Sequence, residues 1–158
     1  SNEIVMRRFL LLIGAVVILD GAGFLARSFL DYPLQAGSSV TFPNHARVQV
    51  DLARTQEERR IGLSGRAELQ SGEGMLFLHS DNTVRFYWMK DMLIPIDIIW
   101  VDGDTVAGFL EQVPVQRPPY LLYSSVVPVD KVLEVQAGFV ATNNVKVGDV
   151  LDIELSSE

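Results

Sequence analysis

The chain has 158 residues, 48% of them hydrophobic, and a formal net charge of −7. This length predicts a single core, and the acidic balance argues against a nucleic-acid partner. Because the chain has no cysteine, disulfides, iron–sulfur clusters and thiol catalysis are excluded. Because His45 and His79 stand in no metal-ligand spacing, we expect neither a metal site nor a cofactor.

The first thirty residues have the pattern of a membrane segment. Arg7 and Arg8 precede an uninterrupted apolar run from Phe9 to Leu19, and hydrophobic residues continue to Leu30. A helix of this length reaches across a bilayer core of about 30 Å, and the positive charges before it place the amino terminus in the cytoplasm. We therefore predict a cytoplasmic tip and one inner-membrane helix over residues 1–30, a linker over 31–39 and an extracytoplasmic domain over 40–158.

Two features of the membrane segment allow alternatives. The small residues from Gly21 to Gly23 would also suit cleavage of a signal peptide, although we favour a retained anchor. Asp20, Ala22 and Ala26 are candidate contacts with a partner helix, since polar residues and small-xxx-small pairs both favour helix association in membranes. The alternative is that Asp20 is hydrated near the interface and that the small residues are ordinary composition.

The extracytoplasmic domain has the pattern of a mainly β fold. Thr55 and Glu58 form a capping box, which predicts a helix from Gln56 to about Leu63, ended by Gly62 or Gly65. We expect an α+β domain with a mixed, barrel-like sheet and two short helices, preceded by the transmembrane helix. Strands are predicted at residues 40–42, 48–52, 75–78, 84–89, 96–101, 105–111, 131–135 and 150–155, with a helical turn at 137–142.

The stretch around Pro95 carries the most chemistry. The strand after Pro95 is apolar on both faces except at Asp97, which indicates that both its faces are covered. Asp102 and Gly103 suit the two-residue turn of a hairpin, so the following strand should fold back on this one. In the last strand Leu151, Ile153 and Leu155 are expected to face inward.

The segment from Gln112 to Asp130 shows no periodicity and contains four prolines. It is longer than the usual structureless connection, so we interpret it as a covering lid or a protein-contact arm. Tyr120 and Tyr123 are of the residue type that anchors interfaces, and Arg117 joins them as a candidate contact.

Five motifs in this order, GLSGR, GEGMLF, FYWMKDMLIPIDIIWVD, LEVQAGF and KVGD, resemble the family called domain of unknown function 192. The resemblance implies a compact, mainly β fold, often behind an export signal or anchor, and it implies no established activity. Its marked positions correspond to Glu58, Gly62, Leu63, Arg66, Gly74, Met75, Trp88, Met89, Lys90, Pro95, Asp97, Glu134, Gly138 and Gly148-Asp149. Ser64 replaces a usual methionine, and Asp91-Met92 replaces a common asparagine-threonine pair, so a polar pocket there could be altered.

A polar cluster over Trp88 is the candidate ligand site. Paired carboxylates beside an aromatic surface are typical of carbohydrate sites. The alternative is structural, with Asp97 and Arg66 as an ion pair and Trp88 in the core. The cluster would comprise Arg66, Glu73, Trp88, Lys90, Asp97 and Glu134.

Three functions fit these patterns. We favour a non-catalytic, membrane-anchored accessory subunit that contacts other proteins of a membrane complex, for instance a respiratory or photosynthetic one. The second is a periplasmic domain that binds a small molecule such as a carbohydrate over Trp88. The third is an envelope glycan hydrolase with Glu73 and Asp97 as acid and base, which is less favoured because no nucleophile–base pair or metal set accompanies them.

Overall fold

The computed structural model describes residues 37–156. The predicted membrane helix, its candidate contacts Asp20, Ala22 and Ala26, and most of the linker lie outside the described residues. Between residues 37 and 156, no helix is long and apolar enough to cross a membrane. The inner-membrane location therefore stays a prediction.

The described part of the chain folds into one mixed sheet with two short helices, as the fold class predicted. Strands β2 and β3 are parallel and the other pairs are antiparallel, in the order β5-β4-β6-β3-β2-β1-β7. The elements are β1 (Ser39–Thr41), β2 (Arg47–Ala53), α1 (Gln56–Ile61), β3 (Glu73–Tyr87), β4 (Ile96–Asp102), β5 (Thr105–Val113), β6 (Tyr123–Gln136), α2 (Phe139–Asn143) and β7 (Asp152–Glu154).

The sheet curls until its two ends meet. Thr105, at the start of β5, forms a bridge with Val150, just before β7. The backbone N–H of Val106 donates to the carbonyl of Asp149 at 2.9 Å, and the N–H of Leu151 donates to that of Asp104 at 2.8 Å. These bonds give the sheet its barrel-like closure.

Both faces of the central strands are buried, which explains the continuous apolar pattern of β4. Alternate residues of a strand point to opposite faces, so each face collects its own core cluster. One cluster includes Val50, Leu76, Ile99, Leu133 and Val140. The other includes Leu63, Phe77, Ile98, Trp100 and Val132.

The capping box of α1 forms as predicted. The N–H of Glu58 donates to Thr55 Oγ1 at 3.1 Å, and the N–H of Thr55 donates to Glu58 Oε2 at 2.8 Å. The helix ends at Ile61, because Gly62 with φ 52° leaves the helical conformation. Gly62 is one of the two glycines predicted to end it, although the last helical residue comes before Leu63.

Two predicted boundaries are wrong in the middle of the chain. The separate strands at 75–78 and 84–89 are one strand, β3, with a register shift between Leu78 and Thr83. The supposedly structureless segment from Gln112 to Asp130 is largely strand, because β5 extends to Val113 and β6 begins at Tyr123. The true connection comprises residues 114–122, which we call the arm.

The pairing of β6 explains why its first part was not predicted as a strand. Residues 123–129 pair with β3 alone, whereas β4 pairs with residues 131–136. A strand segment with one free edge tolerates proline, so Pro128 lies opposite Val84 without costing a ladder hydrogen bond. The prolines between Gln112 and Asp130 were therefore taken wrongly as a sign that the whole segment lacks secondary structure.

Smaller differences concern a turn and an end. Asp102 pairs with Thr105, so the hairpin turn consists of Gly103 and Asp104, one position later than predicted. In the last strand Leu151 is buried as expected, but Leu155 is exposed, which contradicts its predicted inward orientation.

The first and last described residues lie side by side. Strand β1 runs between β2 and β7. The hydroxyls of Ser38 and Ser156 are 2.9 Å apart, and the N–H of Ser156 donates to the Ser38 hydroxyl at 3.0 Å. The domain thus receives and releases the chain at one place.

Candidate functional site

Asp97 does not form the predicted ion pair with Arg66. It is fully buried and accepts three backbone hydrogen bonds. Its Oδ1 accepts from the N–H groups of Gln112 at 2.7 Å and Gly138 at 3.1 Å, and its Oδ2 accepts from Val140 at 2.8 Å. These bonds tie the end of β5 and the first turn of α2 to β4, so Asp97 is a structural residue.

Arg66 and Glu73 also have partners outside the predicted cluster. Arg66 forms its ion pair with Asp51, and Glu73 accepts from the backbone of Gln70 at 3.1 Å. Strand alternation places Glu73 on the face of Met75 and Phe77. Asp97 lies on the opposite face, so Glu73 and Asp97 do not share a site.

A pocket of about 400 Å³ lies between α1 and β3. Its lining brings together two of the predicted residues, Trp88 and Glu134. The lining also includes Arg59, Leu63, Phe77, His79, Tyr87 and Met92. This volume is in the range of small-molecule sites, which are concave and mostly apolar with a few polar groups.

Trp88 lies at the open side of this pocket. Its side chain is 46% exposed, so the alternative that placed Trp88 in the core is wrong, and the second tryptophan, Trp100, is the buried one. Lys90 Nζ lies 5.6 Å from the Trp88 ring centroid, within cation–π range. From the arm, Tyr120 packs edge-on against Trp88 with ring centroids 6.3 Å apart.

The arm is held by Tyr123 as well as Tyr120. Tyr123 begins β6 and packs against the core cluster of Trp100, and its hydroxyl accepts from Gln116 Nε2 at 2.6 Å. Tyr123 is therefore part of the sheet, whereas Tyr120 lies in the arm. Arg117 is exposed, and the protein-contact role of these three residues stays a prediction.

Glu134 is the buried acid of the pocket. Its side chain is 5% exposed, and within residues 37–156 no group donates a hydrogen bond to its carboxyl. Burial raises the pKa of this carboxyl to about 8. At neutral pH the group is therefore mostly protonated, and it can donate a hydrogen bond into the pocket.

His79 and Tyr87 form a neutral pair beside Glu134. The Tyr87 hydroxyl and His79 Nε2 are 3.0 Å apart. Burial, followed by the charges of Arg85 and Arg59, lowers the pKa of His79 to about 4. Burial and the nearby Glu134 raise the pKa of Tyr87. Neither group carries a charge near pH 7.

The raised pKa of Glu134 predicts how stability depends on pH. Its folded pKa of about 8 exceeds the ordinary 4.5, so the folded state holds a proton that the unfolded state has lost. Stability should therefore fall as pH rises from about 4.5 to about 8, by up to about 1.4 kcal/mol per pH unit. Denaturant unfolding between pH 5 and pH 8 measures this, and Glu134→Gln should remove this contribution.

His79 provides the internal control. Its lowered pKa favours the neutral ring, so its contribution is lost as pH falls from about 6.5 to about 4. His79→Gln should therefore change the acid side of the profile and keep the fall toward pH 8. An unchanged slope in Glu134→Gln would show that this carboxyl is ionised in the native protein.

The two departures from the resembled family lie next to each other. The Ser64 hydroxyl donates to the carbonyl of Lys90 at 3.0 Å, and the N–H of Gly65 donates to that of Asp91 at 2.9 Å. These bonds join the turn after α1 to the loop after Trp88. Of the substituted positions, Ser64 and Met92 line the pocket.

Sequence reasoning missed Arg59, His79 and Tyr87 as pocket residues. Arg59 lies on the short helix α1, which has no buried residue, so nothing in its position indicated a pocket. His79 was not predicted either, because it directly follows the predicted strand at 75–78 and stands in no metal-ligand spacing. In the described part of the chain, no group of three His, Cys, Asp or Glu side chains could hold a metal.

Comparison with known proteins gives a family and a shared fold. The family model of domain of unknown function 192, described as an uncharacterized ACR, matches residues 39–153. A similar solved structure, from Sinorhizobium meliloti 1021 and described provisionally as a transcription regulator, is 28% identical with a TM-score of 0.69, covering 75% of this chain and 94% of that one. Another, of unknown function from Novosphingobium aromaticivorans, is 29% identical with a TM-score of 0.67, covering 80% and 94%. No curated protein matches the chain significantly.

Proposed function

Since the chain belongs to the family domain of unknown function 192, which implies no activity, we propose from its own surface that it is a non-catalytic accessory subunit of a membrane complex. In this proposal residues 1–30 anchor the chain in the inner membrane, and the domain outside the cytoplasm contacts other subunits, for instance of a respiratory or photosynthetic complex. The hydrolase alternative has less support, because Glu73 and Asp97 lie on opposite faces of the sheet.

One observation carries the proposal: a set of apolar side chains is exposed on one part of the domain. Phe86 is 62% exposed and Val126 is 81% exposed. We call this set the apolar strip, and it consists of Val84, Phe86, Trp88, Leu121, Leu122, Val126 and Val127.

The members of the strip are linked by strand pairing and by one ring contact. Val84 pairs with Pro128 and Phe86 pairs with Ser124, so Val126 and Val127 lie on the segment between these partners. Trp88 contacts Tyr120, which precedes Leu121 and Leu122 in the arm. The strip therefore extends from the β3–β6 ribbon onto the arm.

An exposed surface of this composition favours a protein partner. Contiguous apolar patches on soluble domains commonly mark interaction sites, and aromatic residues are enriched where binding energy concentrates. A nucleic-acid partner, which the description of the Sinorhizobium protein would suggest, is disfavoured by the net charge of −7.

The proposal predicts that strip substitutions release the subunit from its complex. The double change Phe86→Ser with Leu122→Ser removes two exposed apolar anchors without altering buried packing. We expect an affinity loss of at least about 2 kcal/mol, enough to lose constant-stoichiometry co-purification of the same membrane subunits from native membranes in mild detergent. The melting temperature should stay within a few degrees of that of the unchanged protein.

A matched control separates the strip from exposed apolar residues in general. Val147 is similarly exposed but lies in the turn before β7. Val147→Ser should leave co-purification unchanged. If the strip double variant stays in the complex, or if the unchanged chain extracts alone, the accessory-subunit proposal is wrong.

A further inference from the structure

We infer that the pocket between α1 and β3 binds a small organic anion with an apolar body, of the class of aromatic carboxylates. The pocket shares Val84, Phe86 and Trp88 with the apolar strip. The inference concerns a small ligand, however, and it does not depend on the accessory-subunit proposal. The apolar walls of the pocket, Arg59 and Glu134 together favour this class of ligand.

The walls of the pocket suit an apolar body. Leu63, Phe77 and Met92 line it with buried side chains. Tyr87 stands edge-on to Phe77, with ring centroids 5.2 Å apart. A volume of about 400 Å³ has room for a one- or two-ring molecule, and the apolar walls would remove that molecule from water.

Arg59 supplies a positive charge that no described acid neutralises. Its Nη1 donates to two backbone carbonyls, those of Arg54 and of Leu78, the latter at 2.8 Å. Its Nε and Nη2 have no partner among residues 37–156. A half-buried guanidinium fixed at one nitrogen, with donors left on the others, is suited to a carboxylate.

The neighbouring Arg60 shows the contrast within one helix. It also lines the pocket, but its Nε and Nη2 both bond to the Glu57 carboxylate, with Nε at 2.8 Å and Nη2 at 2.5 Å. Its charge is therefore already matched. The two arginines provide an unpaired and a paired cation on consecutive positions.

Glu134 would not repel an anionic ligand. Among the described residues that line the pocket it is the only acid, and its carboxyl is largely neutral near pH 7. A protonated carboxyl offers a donor to an anionic oxygen, and the Tyr87–His79 pair adds neutral polar groups. Arg59 would repel a cationic ligand, and no ionised acid among the described lining residues would offset that repulsion.

The test compares three probes of one shape on the full chain in detergent at pH 7: 2-naphthoate, 2-naphthamide and 2-naphthylmethylammonium. We expect naphthoate to bind about tenfold more tightly than the amide and the ammonium probe not to bind, because only the carboxylate gains a charge-assisted bond with Arg59. Affinities come from ligand-observed NMR titration. Arg59→Gln should abolish the preference for the carboxylate, and Arg60→Gln should keep it.

A second readout locates the bound probe. The chain has four methionines, Met6, Met75, Met89 and Met92, and of these Met92 lines the pocket. In spectra of ¹³C-methyl-methionine-labelled protein, naphthoate should shift the Met92 signal, assigned through Met92→Leu. This readout uses the unchanged protein, so it decides the matter even if Arg59→Gln fails to fold.

The proposal is overturned by any of four results. These are no binding at millimolar probe, equal or tighter binding of the ammonium probe, an unchanged carboxylate preference in folded Arg59→Gln, or binding that leaves the Met92 signal unmoved. Loss of complex co-purification by the strip variants would not affect this outcome, because the probes are measured on the isolated chain.

Discussion

Replacing Asp97 by asparagine is expected to lower the free energy of unfolding by about 3–5 kcal/mol, although the two side chains have nearly the same shape. The carboxylate accepts from the N–H groups of Gln112, Gly138 and Val140 in a fully buried setting. An amide offers one acceptor oxygen and turns an NH₂ group toward at least one of these donors. Denaturant unfolding followed by circular dichroism measures the loss.

An exposed aspartate nearby is the control. Asp104 lies in the hairpin turn, and among residues 37–156 its side chain accepts only from the Thr105 hydroxyl, at 3.1 Å. Asp104→Asn should change the free energy of unfolding by less than about 0.5 kcal/mol. If Asp97→Asn is equally mild while probe binding is lost, Asp97 belongs to a binding site and its structural role is wrong.

Gly74→Ala is expected to destabilise the protein by about 3 kcal/mol or more, because the sheet leaves no space for a methyl group there. A Cβ on Gly74 would lie 2.7 Å from the carbonyl oxygen of Glu134 and 3.0 Å from a Val48 methyl. The closest atom is backbone of the neighbouring strand, so relief requires β3 and β6 to separate. Thermal unfolding monitored by calorimetry measures the effect.

Gly108 offers a matched strand glycine. A Cβ there would lie 3.4 Å from Trp100 Cδ1, an ordinary contact. Gly108→Ala should therefore change stability by less than about 1 kcal/mol. Similar melting temperatures for the Gly74 and Gly108 variants would mean that β3 and β6 are farther apart than described.

The elements with strong local signals were foreseeable from sequence. The capping box at Thr55 and Glu58 specifies a helix start through neighbouring groups alone. The apolar strand after Pro95 likewise reports burial on both faces without knowledge of its partners. Local chemistry and periodicity therefore predicted the fold class.

The missed features depend on partners distant in sequence. Residues 123–129 become strand because β3 supplies their hydrogen bonds, and nothing in their own pattern requires it. Asp97 was expected to need a charged partner, whereas backbone donors from β5 and α2 satisfy it. Almost every residue type has a backbone N–H group, so no sequence motif shows which of these groups will donate to Asp97.

The candidate site was predicted in part. Trp88 and Glu134 were selected and do line one pocket, while Glu73 and Asp97 were selected and lie elsewhere. The alternation of side chains along one strand shows which of its residues share a face of the sheet. Only the register between strands shows which residues of different strands lie close together on that face. Arg59 was not predicted, because a surface arginine on a short helix is common. Only the structure shows that it has no acidic partner among the described residues.

The meeting of Ser38 and Ser156 has a consequence for how the domain can be connected to other chains. A unit whose entry and exit points touch occupies a single attachment point, so it can be inserted into a surface loop of a host without stretching either partner. The same geometry suits circular permutation, with the old ends joined by a short linker and new ends opened at the exposed Gly103–Asp104 turn.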